Sequence, residues 1–474
     1  MTFLLENRKK YSSFVKNRDD DAKVLTVWLG NSRYMKTVMN KIHVFLIVVS
    51  ALLISLAQPI KAQEGTWSGK LEVAGNSLRL IFHLNGDNCT MDSPDQGAKG
   101  IPMKRNAVPS PKVSLSVPAI GAEFNGERVG QQIVGTFIQQ GYKFPLTLEQ
   151  GVEVRKRPQT PKGPFPYTSE EVSFSNDKAV LKGTLTLPEN VQKETPVFIM
   201  VTGSGLQNRD EELFEHKPFA VLADAFARNG IATLRYDDRG FGQSTGDLKE
   251  VTTDDLKKDA QAGISFLRKR FKRVGVLGHS EGGTIALMLA AEGQVDWAIS
   301  LAGMAVSGKS LLMDQNRDLL SLAGYSKEVV DSYLKCLDEL FGQIIAGKKL
   351  QVTNSDRLPM ELKSNLQQVI KTSDTPYMRR FLQLDVADLL GRIHCPVLAL
   401  NGTKDSQVNC QKNLSVLKKG IKSPNSSIQS CEGLNHLFQS CRTGAVSEYK
   451  DIEETFSTKV IDIMIQWIHK NQSL

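Results

Sequence analysis

Between residues 63 and 150 apolar and polar positions alternate in short runs, among them WSGKLEV, SLRLIFHL, KVSLSV, QIVGTFIQ and KFPLTLEQ, and Gly, Asn, Asp and Pro separate the runs. A period of two sends every second side chain to one face of a strand. The pattern therefore predicts an antiparallel all-β domain of about six strands over 63–153. The alternation then stops. Residues 154–170 (VRKRPQTPKGPFPYTSE) hold four prolines and four basic residues and read as an extended linker.

From 171 onward the texture is different. EVSFSN and AVLKGTLTLP read as a starting hairpin. Continuous apolar runs follow: PVFIMV (196–201), IATLRY (231–236), RVGVLG (273–278), WAISLA (297–302), PVLALN (396–401) and SSIQSC (426–431). Between them HKPFAVLADAFARNG and TTDDLKKDAQAGISFLRKR place apolar residues three and four apart, the spacing of a helix face. Buried strands alternating with helices predict an α/β fold over 171–474, a mostly parallel sheet covered on both faces. Residues 303–392 break the alternation. They carry helical patterning (KEVVDSYLKCLDELFGQIIAG, LKSNLQQVIK) and no strong strand, which predicts a helical insertion forming a lid over the strand ends.

Charge changes this picture only at the N-terminus. The chain holds 59 Lys and Arg against 51 Asp and Glu, a formal +8, but residues 1–62 hold ten basic and four acidic residues. The remainder is nearly balanced and shows no basic stripe interleaved with aromatics, so nucleic acid is excluded as a partner class. Within residues 1–62, Lys36, Lys41 and His43 precede the apolar VFLIVVSALLISLA (44–57), and Ala62 is a small residue at a plausible cleavage point. The order of these parts is that of a signal peptide, and 14 apolar residues fall short of the roughly 20 that a spanning helix needs. The expectation is an N-terminal extension and cleaved signal over 1–62, export to the periplasm or medium, and no stable membrane insertion afterwards. Met35 or Met39 is the expected start. The six cysteines do not have zinc-ribbon or CxxC spacing. Cys431 and Cys441 lie five residues either side of His436, placed to staple that loop; scattered buried thiols are the other reading.

The chemistry centres on GHSEGG. Ser280 follows the strand pattern RVGVL and precedes the helix-forming GGTIALMLAAEG. A strand, a sharp turn and a helix expose the serine above the sheet with a helix N-terminus aimed at it, and the glycines let strand and helix approach. A serine hydroxyl needs a base within hydrogen-bond reach and a carboxylate to fix that base's tautomer. Seven histidines make elimination practical. His43 lies in the leader, His83 in the β domain, His394 just before a strand, His469 near the C-terminus and His216 early in the domain. His279 adjoins the serine and is expected to project elsewhere. His436, in EGLNHLF after the last strand run, is the expected base. Asp405, in NGTKDSQV just past a buried run, is the expected acid; Asp374, Asp385 and Asp388 fall in the insertion. The order Ser280, Asp405, His436 is that of the α/β-hydrolase triad. The oxyanion donors are expected from the backbone N–H of Glu281 and from Ser204 or Gly205 in VTGSGLQNRDE.

Together, TGSGLQNRDE, HKPFAVLADAFARNGIATLRYDDRGFGQSTG, GHSEGG, NGTKD and GLNHLF resemble an α/β-hydrolase of the dienelactone hydrolase and serine aminopeptidase type. More closely, the chain resembles the EstD-type bacterial carboxylesterases, which carry an extra N-terminal domain; CTMDSPDQGAKGIP (89–102) is similar to a segment of it. The resemblance implies the same triad and a serine esterase. The chain departs from the family at Leu206 and Asn208, where Pro and Asp are expected. YDDRGFGQSTG reads as structural, with Asp237, Asp238 and Arg239 available for ion pairs. The expectation is an exported serine esterase acting on a small-molecule ester through an acyl-enzyme, with no cofactor and no metal. A peptidase on the same triad, taking a short peptide, is the main rival; Glu281 or acidic residues of the insertion would then hold the substrate's amine. A binding protein with a silent site is a third reading.

Overall fold

The computed structural model describes residues 64–472, apart from 74–75, 97, 140, 153–154 and 354. The leader reading on 1–62 lies outside the described residues. Residues 65–474 form one compact unit.

The N-terminal part is a closed barrel of eight antiparallel strands: Gly65–Val73 (β1), Asn76–Leu84 (β2), Cys89–Ser93 (β3), Ala98–Arg105 (β4), Lys112–Val117 (β5), Ala122–Val129 (β6), Gln132–Gln139 (β7) and Tyr142–Gln150 (β8). Neighbours in sequence pair in order, and β1 closes on β8 through Trp67 opposite Gln150. Alternation dictates the inside. In β5, Val113, Leu115 and Val117 are buried while the residues between them are not. With Trp67, Phe82, Phe124, Ile133 and Phe137 they fill the barrel with side chains.

The larger part is an eight-stranded sheet in the order β16-β15-β14-β13-β11-β12-β10-β9. Its strands are Thr168–Asn176 (β9), Ala179–Leu187 (β10), Val197–Val201 (β11), Ala232–Tyr236 (β12), Val274–His279 (β13), Trp297–Leu301 (β14), Val397–Gly402 (β15) and Ser427–Cys431 (β16). β9 and β10 pair antiparallel, β10 meets β12 antiparallel, and β12 through β16 run parallel. This is the α/β-hydrolase order. Every residue of β11, β13, β14 and β15 is buried, as expected of strands covered on both faces. The covering helices are Pro218–Arg228 (α1), Thr253–Leu267 (α2), Glu281–Ala291 (α3), Cys410–Gly420 (α8) and Thr458–Asn471 (α9).

Between β14 and β15 the chain forms Gly308–Leu322 (α4), Lys327–Ile345 (α5), Met360–Thr372 (α6) and Pro376–Gln383 (α7), the helical insertion the patterning predicted. It has its own apolar centre around Leu334, Leu337, Leu340, Phe341 and Leu366. Six thiols are free: Cys89 in β3, Cys336 in α5, Cys395 before β15, Cys410 opening α8, Cys431 ending β16, and Cys441. The Cys431–Cys441 staple is therefore not formed. Among the described residues no helix is long and apolar enough to cross a membrane.

Candidate active site

Parallel strands β11, β13, β15 and β16 all end on one side of the sheet, and each candidate residue lies in the segment past such an end. Ser280 follows β13. Its φ of 53° and ψ of −117° lie outside the regions a serine ordinarily adopts, so the turn stores strain that its neighbours must hold. The neighbours do so by crowding. A Cβ on Gly278 would meet the Gly282 carbonyl oxygen at 1.9 Å, and one on Gly282 would meet the Val201 oxygen at 2.1 Å. Only glycine allows strand, turn and helix to pack this closely. The Ser280 N–H donates to the Leu301 carbonyl at 2.8 Å, anchoring the turn to β14.

Asp405 lies in the turn after β15. Its Oδ1 accepts the N–H groups of Gln407 and Val408, both at 2.8 Å, and its Oδ2 lies 2.8 Å from His436 Nδ1. A carboxylate can only accept, so Nδ1 donates; this contact selects the neutral tautomer whose lone pair is on Nε2, the one a general base requires. Both side chains are buried. The loop carrying His436 is tied by Asn435, whose Oδ1 accepts from the Leu437 and Gln439 N–H groups at 3.0 and 2.9 Å. Gly402 lets this loop lie against the end of β15; a Cβ there would meet the Leu434 oxygen at 2.2 Å.

His279 departs from its expectation. It does not project away from the site: its ring centroid lies 4.7 Å from that of His436. Nδ1 lies 2.9 Å from Glu211 Oε1 and Nε2 lies 2.9 Å from the His436 carbonyl oxygen. The His436 carbonyl can only accept, so Nε2 carries a proton, and against an ionised Glu211 Nδ1 donates as well, which is the imidazolium form. Burial alone pulls its pKa down, but the charge and hydrogen bond of Glu211, with the His436 carbonyl, outweigh burial and raise it above the usual histidine value. Glu211, also missed, does a second job. Its Oε1 accepts the Gly203 N–H at 2.7 Å. One carboxylate thus joins the loop after β11 to the residue before the nucleophile, and His279 passes the connection on to the base loop.

The loop after β11 comes within touching distance of the nucleophile. A Cβ on Gly203 would sit 3.2 Å from Ser280 Cβ and 3.3 Å from Glu211 Oε1. Because the Gly203 N–H is taken, the expected donors Ser204 and Gly205 are the next along that loop; Gly205 has φ of 92°, with open space around it. The YDDRG segment braces the loop from below. Asp237 binds Arg209 bidentately, at 3.1 and 2.9 Å, and accepts the Arg209 N–H at 2.8 Å. Arg239 pairs with Asp259. Asp238 makes no ion pair: it accepts from Thr202 Oγ1 and from the Gln207 N–H at 2.8 Å. Burial pushes its carboxyl up to about 8, against the pull of those hydrogen bonds. Asn208, one of the departures from the resembled pattern, still accepts from the Asp210 and Glu212 N–H groups at 3.0 and 3.2 Å, the task an Asp would perform.

Glu281, the other expected donor, opens α3, so its backbone N–H is one of the unpaired donors of a helix N-terminus. Its side chain is buried and accepts from Thr253 Oγ1 and from the Tyr377 hydroxyl, both at 2.5 Å. Tyr377 belongs to α7, so the insertion reaches the residue that follows Ser280. Arg380, one turn further along α7, binds Asp254 in the first turn of α2 through its Nε at 2.5 Å. Two other histidines serve elsewhere: buried His216 meets Thr455 and the Tyr449 carbonyl, and His83 meets Thr66 and Asp92. Among the described residues no cluster of three or more His, Cys, Asp or Glu is placed to hold a metal.

The family model described as "Serine aminopeptidase, S33" matches residues 215–440, a span that holds Ser280, Asp405 and His436. Esterase EstD of Thermotoga maritima is 24% identical over 353 residues, covering 74% of this chain and 77% of that protein. Among solved structures, an esterase of Pyrococcus furiosus aligns over 68% of this chain and 99% of its own at 16% identity, with a TM-score of 0.41. A proline iminopeptidase of Mycobacterium smegmatis aligns over 64% of this chain and 99% of its own at 17% identity, also with a TM-score of 0.41.

Proposed function

We propose that this chain, a serine hydrolase of α/β-hydrolase fold, is a carboxylic-ester hydrolase in which Ser280 is the nucleophile, His436 the base and Asp405 its orienting acid. The observation that carries the reading is the Asp405–His436 contact at 2.8 Å, which leaves Nε2 of a buried imidazole as acceptor at the sheet edge where the strained Ser280 turn stands. His436 takes the hydroxyl proton as Ser280 Oγ attacks the ester carbonyl. The Glu281 N–H and a donor at Ser204 or Gly205 hold the oxyanion. His436 then protonates the leaving alcohol, and water clears the acyl-enzyme by the reverse sequence. The resemblance to Esterase EstD supports the ester as substrate.

A peptidase that removes N-terminal residues would need a carboxylate free to take the substrate's amine. Glu281, next to the nucleophile, is already committed to Thr253 and Tyr377, and Glu211 to Gly203 and His279. This favours the ester. The test is hydrolysis of p-nitrophenyl acetate and butyrate by the chain from Gln63 onward, beside Ser280→Ala and an aminoacyl anilide. Loss of at least about 10³-fold in the variant, with slow anilide turnover, supports the reading. Anilide turnover as fast as ester turnover would replace it with the peptidase. Export is part of the same proposal and rests on the leader sequence; N-terminal sequencing of the mature protein tests it.

A further inference from the structure

The segment 208–217 carries Glu211, on which the loop after β11 and His279 both depend. Its backbone takes an uncommon path. Glu211, Phe214 and Glu215 have φ values of 53°, 51° and 66°, three left-handed residues without a glycine among them. Side chains with a Cβ pay for this conformation, so it persists only where surrounding contacts over-determine it. Much of that support comes from outside the hydrolase sheet.

Two barrel cations grip the segment on either side of Phe214. Lys99, in β4, places its ammonium 2.9 Å from Glu212 Oε1. Arg79, buried in β2, pairs with Glu215. The residues joining barrel to sheet add a third hold: Arg157 donates to the Phe214 carbonyl oxygen through Nη2 at 2.9 Å and through Nε at 3.2 Å. Lys99 is more than half exposed, whereas the Glu212 carboxylate it meets is 5% exposed, so the pair caps an acid that is otherwise almost out of water. Lys217 also faces Glu212, but at 3.7 Å.

We infer that the N-terminal barrel is a positioning element for the oxyanion loop: Lys99 and Arg79 hold the backbone that aims Glu211 at Gly203 and His279. Neither residue touches substrate. They act through Glu212 and Glu215, then Glu211, then the Gly203 N–H that sets where the next donors stand. This inference rests on the esterase reading for its natural readout and not for its geometry.

The experiment uses the full chain carrying Lys99→Glu, Lys99→Arg or Glu215→Gln. For each, kcat and KM on p-nitrophenyl acetate, the rate of fluorophosphonate labelling, Tm and hydrogen exchange of a peptide spanning 203–217 are measured. In Lys99→Glu a loosened oxyanion loop should lower kcat and the labelling rate together by about threefold to thirtyfold, because small misplacements of donors are costly in the transition state. KM should stay within about twofold if the loss falls on transition-state interactions alone. Exchange in 203–217 should quicken, and Lys99→Arg should restore all three. Unchanged kcat, labelling and exchange in both Lys99→Glu and Glu215→Gln would overturn the inference. A lowered Tm with those three intact would make the barrel contact merely structural, and overturn it equally. If the parent labels but cleaves no ester, the esterase reading fails while labelling and exchange still judge the barrel's role.

Discussion

Replacing Glu211 by Gln removes one charge and almost no volume, and the geometry fixes what must follow. In the parent, Glu211 Oε1 receives the Gly203 N–H at 2.7 Å and lies 2.9 Å from His279 Nδ1, and its charge raises the His279 pKa and so favours the imidazolium. Gln has one acceptor oxygen and one donor amide. If the oxygen keeps Gly203, the amide faces Nδ1, and His279 must be neutral to accept from it. Burial then acts on the imidazolium without compensation, so the pKa of His279 falls below its usual value of about 6.5. The two proteins therefore respond to pH with opposite sign. In the parent, the raised folded pKa gives stability that is complete below about pH 6.5 and is lost as pH rises through the folded value. In the variant, stability is lost as pH falls below about 6.5. The gap between them should be widest on the acid side. Losing a charged hydrogen bond inside the protein costs about 2–4 kcal/mol. For about 410 residues unfolding together, at roughly 2.1 cal/mol/K of entropy each, that is about 2–5 °C in Tm. Thermal denaturation of both proteins from pH 5.5 to 9 provides the check. A Tm gap of the same size at both ends, or none at pH 5.5, would refute the charged pair.

Three further outcomes follow from the site. Asp405→Asn should fold normally but lower kcat by about 10³–10⁴-fold near pH 7, because an amide can donate to Nδ1 and so favour the wrong imidazole tautomer; steady-state kinetics with a Tm control tests this. Gly203→Ala should lower kcat by about tenfold or more with KM nearly unchanged, since its methyl would stand 3.2 Å from Ser280 Cβ and 3.3 Å from Glu211, and neither neighbour is free to retreat; equal kcat in the two proteins would show that the loop yields. Tyr377→Phe leaves the buried Glu281 carboxylate one donor short and should cost about 1–3 kcal/mol, read by chemical denaturation, and it should also change KM through the freed insertion.

The parallel sheet was legible because strands covered on both faces must be continuously apolar, as β11 and β15 are. Ser280 and Asp405 stood out as candidates for a related reason: each comes just after such a strand, whereas His436 follows the polar, half-exposed β16 and was reached by elimination among the histidines. The barrel was harder. Its β3, β4 and β6 match none of the runs read from the sequence: CTMDS is short, AKGIPMKR holds a glycine, a proline and a single buried side chain, Met103, and AEFNGERV, with its glycine and polar residues, reads as turn. Glu211 and His279 lie within TGSGLQNRDE and GHSEGG, but nothing in the sequence pairs them. Their contact spans 68 residues, and adjacency to the nucleophile argued against His279 when sequence was the only guide. Asp238 is a milder case. Its motif suggested an ion pair, yet the fold places it beneath Thr202 and Gln207, where burial outweighs the hydrogen bonds that favour its charge.

The six unpaired thiols make the protein a set of built-in gauges. Alkylation needs both access and a thiolate, and burial denies the first and raises the pKa of Cys336, Cys410 and Cys431. Each of the four buried thiols, Cys89, Cys336, Cys410 and Cys431, stays silent until its own surroundings open. Cys89 sits in the barrel, Cys336 in the insertion and Cys431 at the rim of the sheet. A timed exposure to iodoacetamide, read peptide by peptide, would rank the openings of three regions in one native sample without altering a residue.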